Sequence, residues 1–206
     1  MSIKCKYITS DKLTVDRLNF KSYQCDDMSI TKSSDKTYSE NNKLDKDHPC
    51  LGYIQVHYLK NPLVYVTTPI MKCLFGVQKK GQNNFQMNLQ FTDLEEDPHM
   101  KQFFDFIQQC EFATMKHLGL TSDDADRFAS QIYYDKNEKY EPSLQVKLPF
   151  HYNQFLTDLY ADFSSGVNIF TIKKFQNMEC DLYIDKVWRM NDKFYMKWKC
   201  KIIHIV

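Results

Sequence analysis

The stretch from Phe194 to Ile205 constrains the fold more than any other part of this chain. Phe194, Met196, Trp198, Cys200 and Ile202 alternate with Tyr195, Lys197, Lys199 and Lys201. A period of two places the first set on one face of a β-strand and the second on the other. One face is apolar and must pack on a core. The other is a row of three lysines headed by a tyrosine, a surface suited to holding a nucleic-acid backbone and stacking a base. The competing reading is an ordinary solvated face, on which lysines also blunt a sheet edge.

The same periodicity recurs along the chain. Leu13–Cys25 alternates well enough for one or two strands. In Gly52–Lys60, Tyr53, Gln55, His57 and Leu59 oppose Ile54, Val56 and Tyr58. Leu63–Thr68, Ile70–Val77 and Phe85–Phe91 are further strands, rich in β-branched and aromatic residues, with Gln78–Asn84 as a basic hairpin tip. Gln131–Tyr134, Leu144–Leu148, Asn153–Ala161, Glu179–Met190 and Lys193–Ile205 complete the set, the last two joined by a tight turn at Asn191-Asp192. Between them lies one helix. Asp97 is its N-cap and Pro98 its first residue. Met100, Phe103, Ile107, Cys110, Thr114 and Leu118 form its apolar stripe, and Gly119 its stop. Thr121–Ser130 reads as a shorter second helix with Asp124 at the capping-box position. Asp26–His48 is rich in Ser, Lys, Asn and Asp and reads as a long polar loop. The expected organisation is 1–50, N-terminal strands with the loop 26–48, followed by 51–206, a barrel domain with a helical insert at 97–130. The expected fold class is mainly β with a helical insert (α+β), an elaborated OB-type Greek-key β-barrel.

The formal net charge is only +1, but the charge is segregated. Leu51–Thr92 holds Lys60, Lys72, Lys79 and Lys80 with no acid. Asp93–Asp126 carries a net −7, and Lys186–Val206 a net +5. A neutral chain arranged this way still has a basic face that attracts anions. The seven cysteines are dispersed, with no C-x-x-C and no His pair at ligand spacing, so neither a zinc site nor a disulfide framework is expected. No signal peptide is visible and no run approaches a membrane span, so the chain reads as soluble and intracellular. Catalytic readings fail on the residues: five glycines, no phosphate-cradling loop, no G-x-S-x-G and no H-E-x-x-H. The acids at 93–97 and 123–126 sit at helix starts, where they complement the macrodipole. No cofactor and no metal are expected.

Binding readings survive. Gln131–Leu148 interleaves Tyr133, Tyr134 and Tyr140 with Lys136, Lys139 and Lys147, and Lys72, Phe75, Lys79 and Lys80 form a second such mixture on a hairpin. Aromatics stack bases and lysines meet phosphates without reading base edges. Ordinary strand tyrosines are the alternative. Trp188 shares its parity with Leu182 and Ile184 and reads as core, with Lys186 the odd member.

Several of these segments resemble the OB-fold single-stranded DNA-binding proteins of large nucleocytoplasmic DNA viruses and, more distantly, of tailed phages. The carrying residues are Tyr140-Glu-Pro-Ser-Leu144-Gln-Val-Lys147-Leu, the strand through Ile184 to Val187-Trp188, and the closing Phe194-Tyr-Met-Lys-Trp198-Lys-Cys-Lys-Ile-Ile203. Leu63–Phe91 and the helix from Pro98 are similar in layout to the front half of that family, so the likeness spans about Leu51–Val206. It implies a non-enzymatic, sequence-tolerant binder that coats single-stranded DNA in viral replication, repair or recombination, in the host cytoplasm, with replication proteins as further partners. Bases would stack on Tyr133, Tyr134, Tyr140 or Tyr195. Phosphates would run past Lys72, Lys79, Lys80, Lys136, Lys139, Lys147, Lys186, Arg189, Lys197, Lys199 and Lys201. The acidic helical insert should lie away from the strand or serve protein contacts. The apolar Ile202-Ile-His-Ile-Val206 does not match the family's acidic tail, so recruitment through a tail is not expected. A viral structural or assembly protein with a protein-binding β-domain, and an RNA-binding OB module, are the alternatives.

Overall fold

The computed structural model describes residues 8–9, 14–25, 52–137, 139–161, 164–165, 168–190 and 192–206. The polar loop expected at 26–48 lies outside them. The labelled strands are β1 (Gly52–Tyr58), β2 (Val64–Thr67), β3 (Met71–Cys73), β4 (Gln78–Gly81), β5 (Asn84–Gln90), β6 (Ile132–Tyr133), β7 (Ser143–Leu148), β8 (Gln176–Ile184), β9 (Lys186–Met190), β10 (Lys193–Met196) and β11 (Lys199–Ile205). The helix α1 (Pro98–His117) lies between β5 and β6.

Five of these pairings close a ring. β2 and β3 lie end to end along one edge of β8, with Val64 opposite Ile184 and Cys73 opposite Gln176. Pro69, which has no N–H to give a ladder, falls in the gap, where the Thr68 hydroxyl accepts from the Cys180 N–H at 3.0 Å. β3 pairs with β5, and β5 with β7, both antiparallel. β7 then meets β11 in parallel at Lys147 and Lys199, and β11 returns antiparallel to β8. The last ring strand thus lies between the third and fourth, which is the Greek-key closure of an OB-type barrel. The protein is mainly β with one helical insert, placed between the second and third ring strands.

Beyond Asp185 the chain of β8 continues as β9 into a second sheet. There β9 pairs with β1 on one side and β10 on the other, while the short strands Leu18–Phe20 and Gln24–Cys25 pair with β1. α1 packs behind this sheet and against the barrel. Asp97 accepts from the His99 and Met100 N–H groups, as its N-cap position predicts. The stripe Met100, Phe103, Ile107, Cys110 and Thr114 is buried. Phe103 meets Phe91, Phe106 meets Trp198, and the Thr114 hydroxyl lies 3.1 Å from the Met196 sulfur. Cys73, Cys110, Cys180 and Cys200 are buried free thiols, and desolvation raises Cys73 to about 11.

Several sequence expectations change. The second helix is a 3₁₀ segment, Ser122–Arg127, although Asp124 does accept from the Thr121 N–H at 3.2 Å. Glu179–Met190 is two strands that meet at Asp185, and Lys193–Ile205 is two strands broken at Lys197–Trp198. In β11 a bulge opposes Leu182 to Cys200 and Asp181 to Ile202, so Ile203 rather than Ile202 enters the core.

Trp198 is 0% exposed, at the junction of barrel and helix. Trp198→Ala should cost about 3–5 kcal/mol, read as a lowered urea midpoint at unchanged slope. A variant that unfolds at the wild-type midpoint would contradict this packing.

Candidate nucleic-acid interface

The parity of the inward-facing residues changes at Asp185. Ile184 is buried on one side of it and Val187 on the other, so Lys186, Trp188 and Met190 all turn outward. On β10, Phe194 and Met196 are buried and Tyr195 turns outward with them. The register places Trp188 opposite Tyr53 on one side and Tyr195 on the other, an aromatic row across three strands. Tyr53 and Trp188 have ring centroids 5.1 Å apart. The Lys186 ammonium lies 4.1 Å from the Tyr53 centroid and 4.9 Å from that of Trp188, and Lys197 lies 5.3 Å from that of Tyr195.

Beside this row is an open cavity of about 260 Å³ lined by Lys147, Lys186, Trp188, Met190, Tyr195, Lys197 and Lys199. Lys199 is bound to both oxygens of Asp185, at 2.7 and 2.8 Å. Burial, then the nearby Lys197 and Lys199, lowers the pKa of Lys147; burial and Lys199 lower that of Lys197. Lysines held this close in a half-buried site favour an anion between them.

The cavity opens onto the outer face of the barrel, where the register continues it across the strands. Lys199 pairs with Lys147, Lys147 with Gln86, and Gln86 with Gln78. At about 4.8 Å between strands, this is a transverse track across β11, β7, β5 and β4. A second row lies further along β5 and β7 and extends to β3 on one side and β6 on the other: Lys72, Gln90, Ser143 and Tyr133. Asn88 and Gln145 pair between the two rows, and the Tyr133 hydroxyl donates to Gln145 at 3.3 Å. The face therefore offers aromatics and lysines at one end, amides in the middle, and Lys72 with Tyr133 at the other.

The other expected residues are more scattered. Lys80 is exposed on the β4 hairpin, while Lys79 turns to the opposite side, 5.9 Å from the Phe85 ring. Phe75 is exposed just before that hairpin in the chain, beneath Lys174. Tyr134, Lys136, Lys139 and Tyr140 line a separate groove of about 570 Å³, in which Asp135 and Glu141 balance the lysines. The Tyr134 hydroxyl also accepts from Gln108 of the helix at 2.9 Å. Lys201 sits at the bulge of β11, its ammonium 3.5 Å from the Leu156 carbonyl and outside the cavity. Arg189 is a correction: at 2% exposure it lies on the inner face, its guanidinium donating to Asp192 at 3.1 Å. Trp188 is the converse correction. Its parity with Leu182 and Ile184 predicted core, but the break at Asp185 turns it outward. Lys186, which the core reading could not accommodate, was the signal of that break. Tyr53 gave no signal of its own, because its role depends on β1 pairing with β9.

No family model matches the chain, and no curated protein matches it. Among solved structures it is similar to the single-stranded DNA-binding protein from bacteriophage Enc34, at 10% identity and TM-score 0.49, over 73% of this chain and 83% of that one. The same phage protein in complex with ssDNA matches at 10% and 0.46, over 74% and 89%. The single-stranded DNA-binding protein gp2.5 of bacteriophage T7 matches at 8% and 0.48, over 69% and 91%.

An anion bound in the cavity would raise the lowered pKa values of Lys147 and Lys197, so binding takes up protons between the free and bound values. At constant ionic strength, affinity for oligo-dT should fall with rising pH, beginning below the usual lysine value of about 10.4. Lys147→Arg, which stays charged, should flatten that fall. A wild-type affinity flat up to the ordinary lysine range would contradict the cavity as the phosphate site.

Proposed function

We propose that the protein is a non-enzymatic, sequence-tolerant single-stranded DNA-binding protein that coats exposed strands during DNA replication, repair or recombination. The observation that carries the reading is the cavity lined by Trp188 and Tyr195 together with four lysines, Lys147, Lys186, Lys197 and Lys199. Bases stack on Trp188 and Tyr195. Phosphates meet Lys147, Lys186 and Lys197 and pass along the track toward Gln78. Nothing in this set reads a base edge uniquely, so binding tolerates sequence. The helix lies behind the second sheet, so its acids do not confront the strand. The proposal extends to the resemblance drawn from sequence: a large DNA virus as the source, the host cytoplasm as the place of action and replication proteins as further partners.

The test is fluorescence-anisotropy titration with oligo-dT, oligo-rU and duplex DNA at two salt concentrations. Oligo-dT should bind tightest, with affinity falling steeply as salt rises. Preference for oligo-rU would make this an RNA module, since only RNA offers the 2′-hydroxyl, and salt-independent or absent binding would return the face to a protein-contact role. Trp188→Ala and Tyr195→Ala should each lose about 1–3 kcal/mol with an unchanged salt slope. Lys197→Glu should lower the slope by about 0.7. A slope unchanged by Lys197→Glu would remove this lysine from the phosphate path.

A further inference from the structure

At the base of the β4 hairpin lies a second surface of the same chemistry. Phe75 and Phe175 are 52% and 55% exposed, and the Lys174 ammonium lies 6.0 Å from one ring centroid and 4.8 Å from the other. Lys186 bridges Tyr53 and Trp188 in the same way on the first surface. Phe175 has φ +64, a conformation unfavourable for a bulky side chain. It is held there because its N–H donates to the Cys73 carbonyl at 2.7 Å. The neighbouring backbone is equally tight, since a Cβ on Gly76 would stand 2.8 Å from the Ile172 carbonyl oxygen. A strained backbone that keeps a large apolar ring in water is the kind of feature found at binding sites.

Charge narrows the occupant. The two segments that build this surface, 74–84 and 168–178, contribute Lys79, Lys80, Lys173 and Lys174 and no acid. An apolar protein partner would have to desolvate these lysines. A polyanion with flat aromatic faces uses both the rings and the charges. The transverse track through Lys147 and Gln86 ends at Gln78, on the hairpin that begins just after Phe75.

We propose that Phe75, Lys174 and Phe175 form a second stacking site for the same single-stranded nucleic acid. A strand leaving the lysine cavity along Gln86 and Gln78 is anchored again between the two phenyl rings. This rests on the function proposed above and lengthens its footprint, so the two surfaces separate by oligonucleotide length. An oligo-dT of about 5 nucleotides is held by the cavity alone, whereas one of about 16 reaches both surfaces.

The variants are Phe175→Gly, Phe75→Ala and Lys174→Glu. Glycine accepts the φ of Phe175 without strain, so Phe175→Gly should fold at least as stably as wild type in a thermal melt. It should nonetheless lose fivefold or more in affinity for the long oligonucleotide, and none for the short one, as about 1–3 kcal/mol per stacked base requires. Phe75→Ala should behave likewise in binding, and Lys174→Glu should lower the salt slope by about 0.7 on the long oligonucleotide alone. Wild-type affinity of all three variants for the long oligonucleotide would overturn the second site, as would equal losses on both lengths. Sedimentation showing a dimer that the variants disperse, with oligonucleotide affinity unchanged, would overturn it in favour of contact between copies. Failure of the wild type to bind even the short oligonucleotide would overturn the proposed function itself, and the second site with it.

Discussion

The pairing of Asp185 with Lys199 holds the seam on which both sheets depend. One continuous run of chain, β8 into β9, serves first as a barrel strand and then as the middle of the second sheet. Asp185 sits where it changes role. Its carbonyl accepts from Val56 of β1 at 2.9 Å, and its carboxylate binds the Lys199 ammonium at the start of β11. The bonds tie the barrel's closing strand to the second sheet at one residue. The pair is only about one-fifth exposed on each side, so losing one partner would leave a poorly solvated charge. The pair also neutralises a carboxylate that acts on Lys147, beside the cavity lysines.

The change of inward parity at this seam explains how an outward aromatic and basic face arises from strands that resemble core. Upstream of Asp185, Leu182 and Ile184 point into the barrel; downstream, Lys186, Trp188 and Met190 point out and Arg189 points in. The helix fills the space behind the second sheet, with Thr114 against Met196 and Phe106 against Trp198. Glu111, buried with a raised pKa because of its desolvation, accepts from Ser130 and the Gln131 N–H at 2.7 Å each and guides the chain back toward the barrel. Glu111 thus serves the return of the chain from the helix, while Lys147, Lys186 and Lys199 of β7, β9 and β11 line one cavity. The net charge of +1 conceals this division.

Much of the fold was legible because it follows from local periodicity. Ile54, Val56 and Tyr58 are buried as their alternation requires, and α1 begins at Pro98 behind the Asp97 cap. The legible part of the site was the outward parity of Tyr195, Lys197 and Lys199 and the basic end of β7. The illegible part depended on breaks in register. A bulge removed Lys201 from its row, the seam at Asp185 exchanged Arg189 for Trp188, and the pairing of β1 with β9 supplied Tyr53. A period-two pattern does not mark where it will slip by one residue, and each slip moves every later side chain to the other face. Phe175 was illegible for another reason, since its exposure follows from a positive φ imposed by tertiary contacts.

The central claim is that bases stack on Trp188, and the protein's two tryptophans allow it to be read directly. Trp198 is sealed in the core and Trp188 stands on the outer face. The measurement is tryptophan fluorescence of Trp198→Phe during titration with oligo-dT, with Trp188→Phe as its counterpart. The account predicts strong, saturable quenching in Trp198→Phe, where only Trp188 emits, and almost none in Trp188→Phe. Anisotropy-confirmed binding that leaves Trp188 emission unchanged would contradict it.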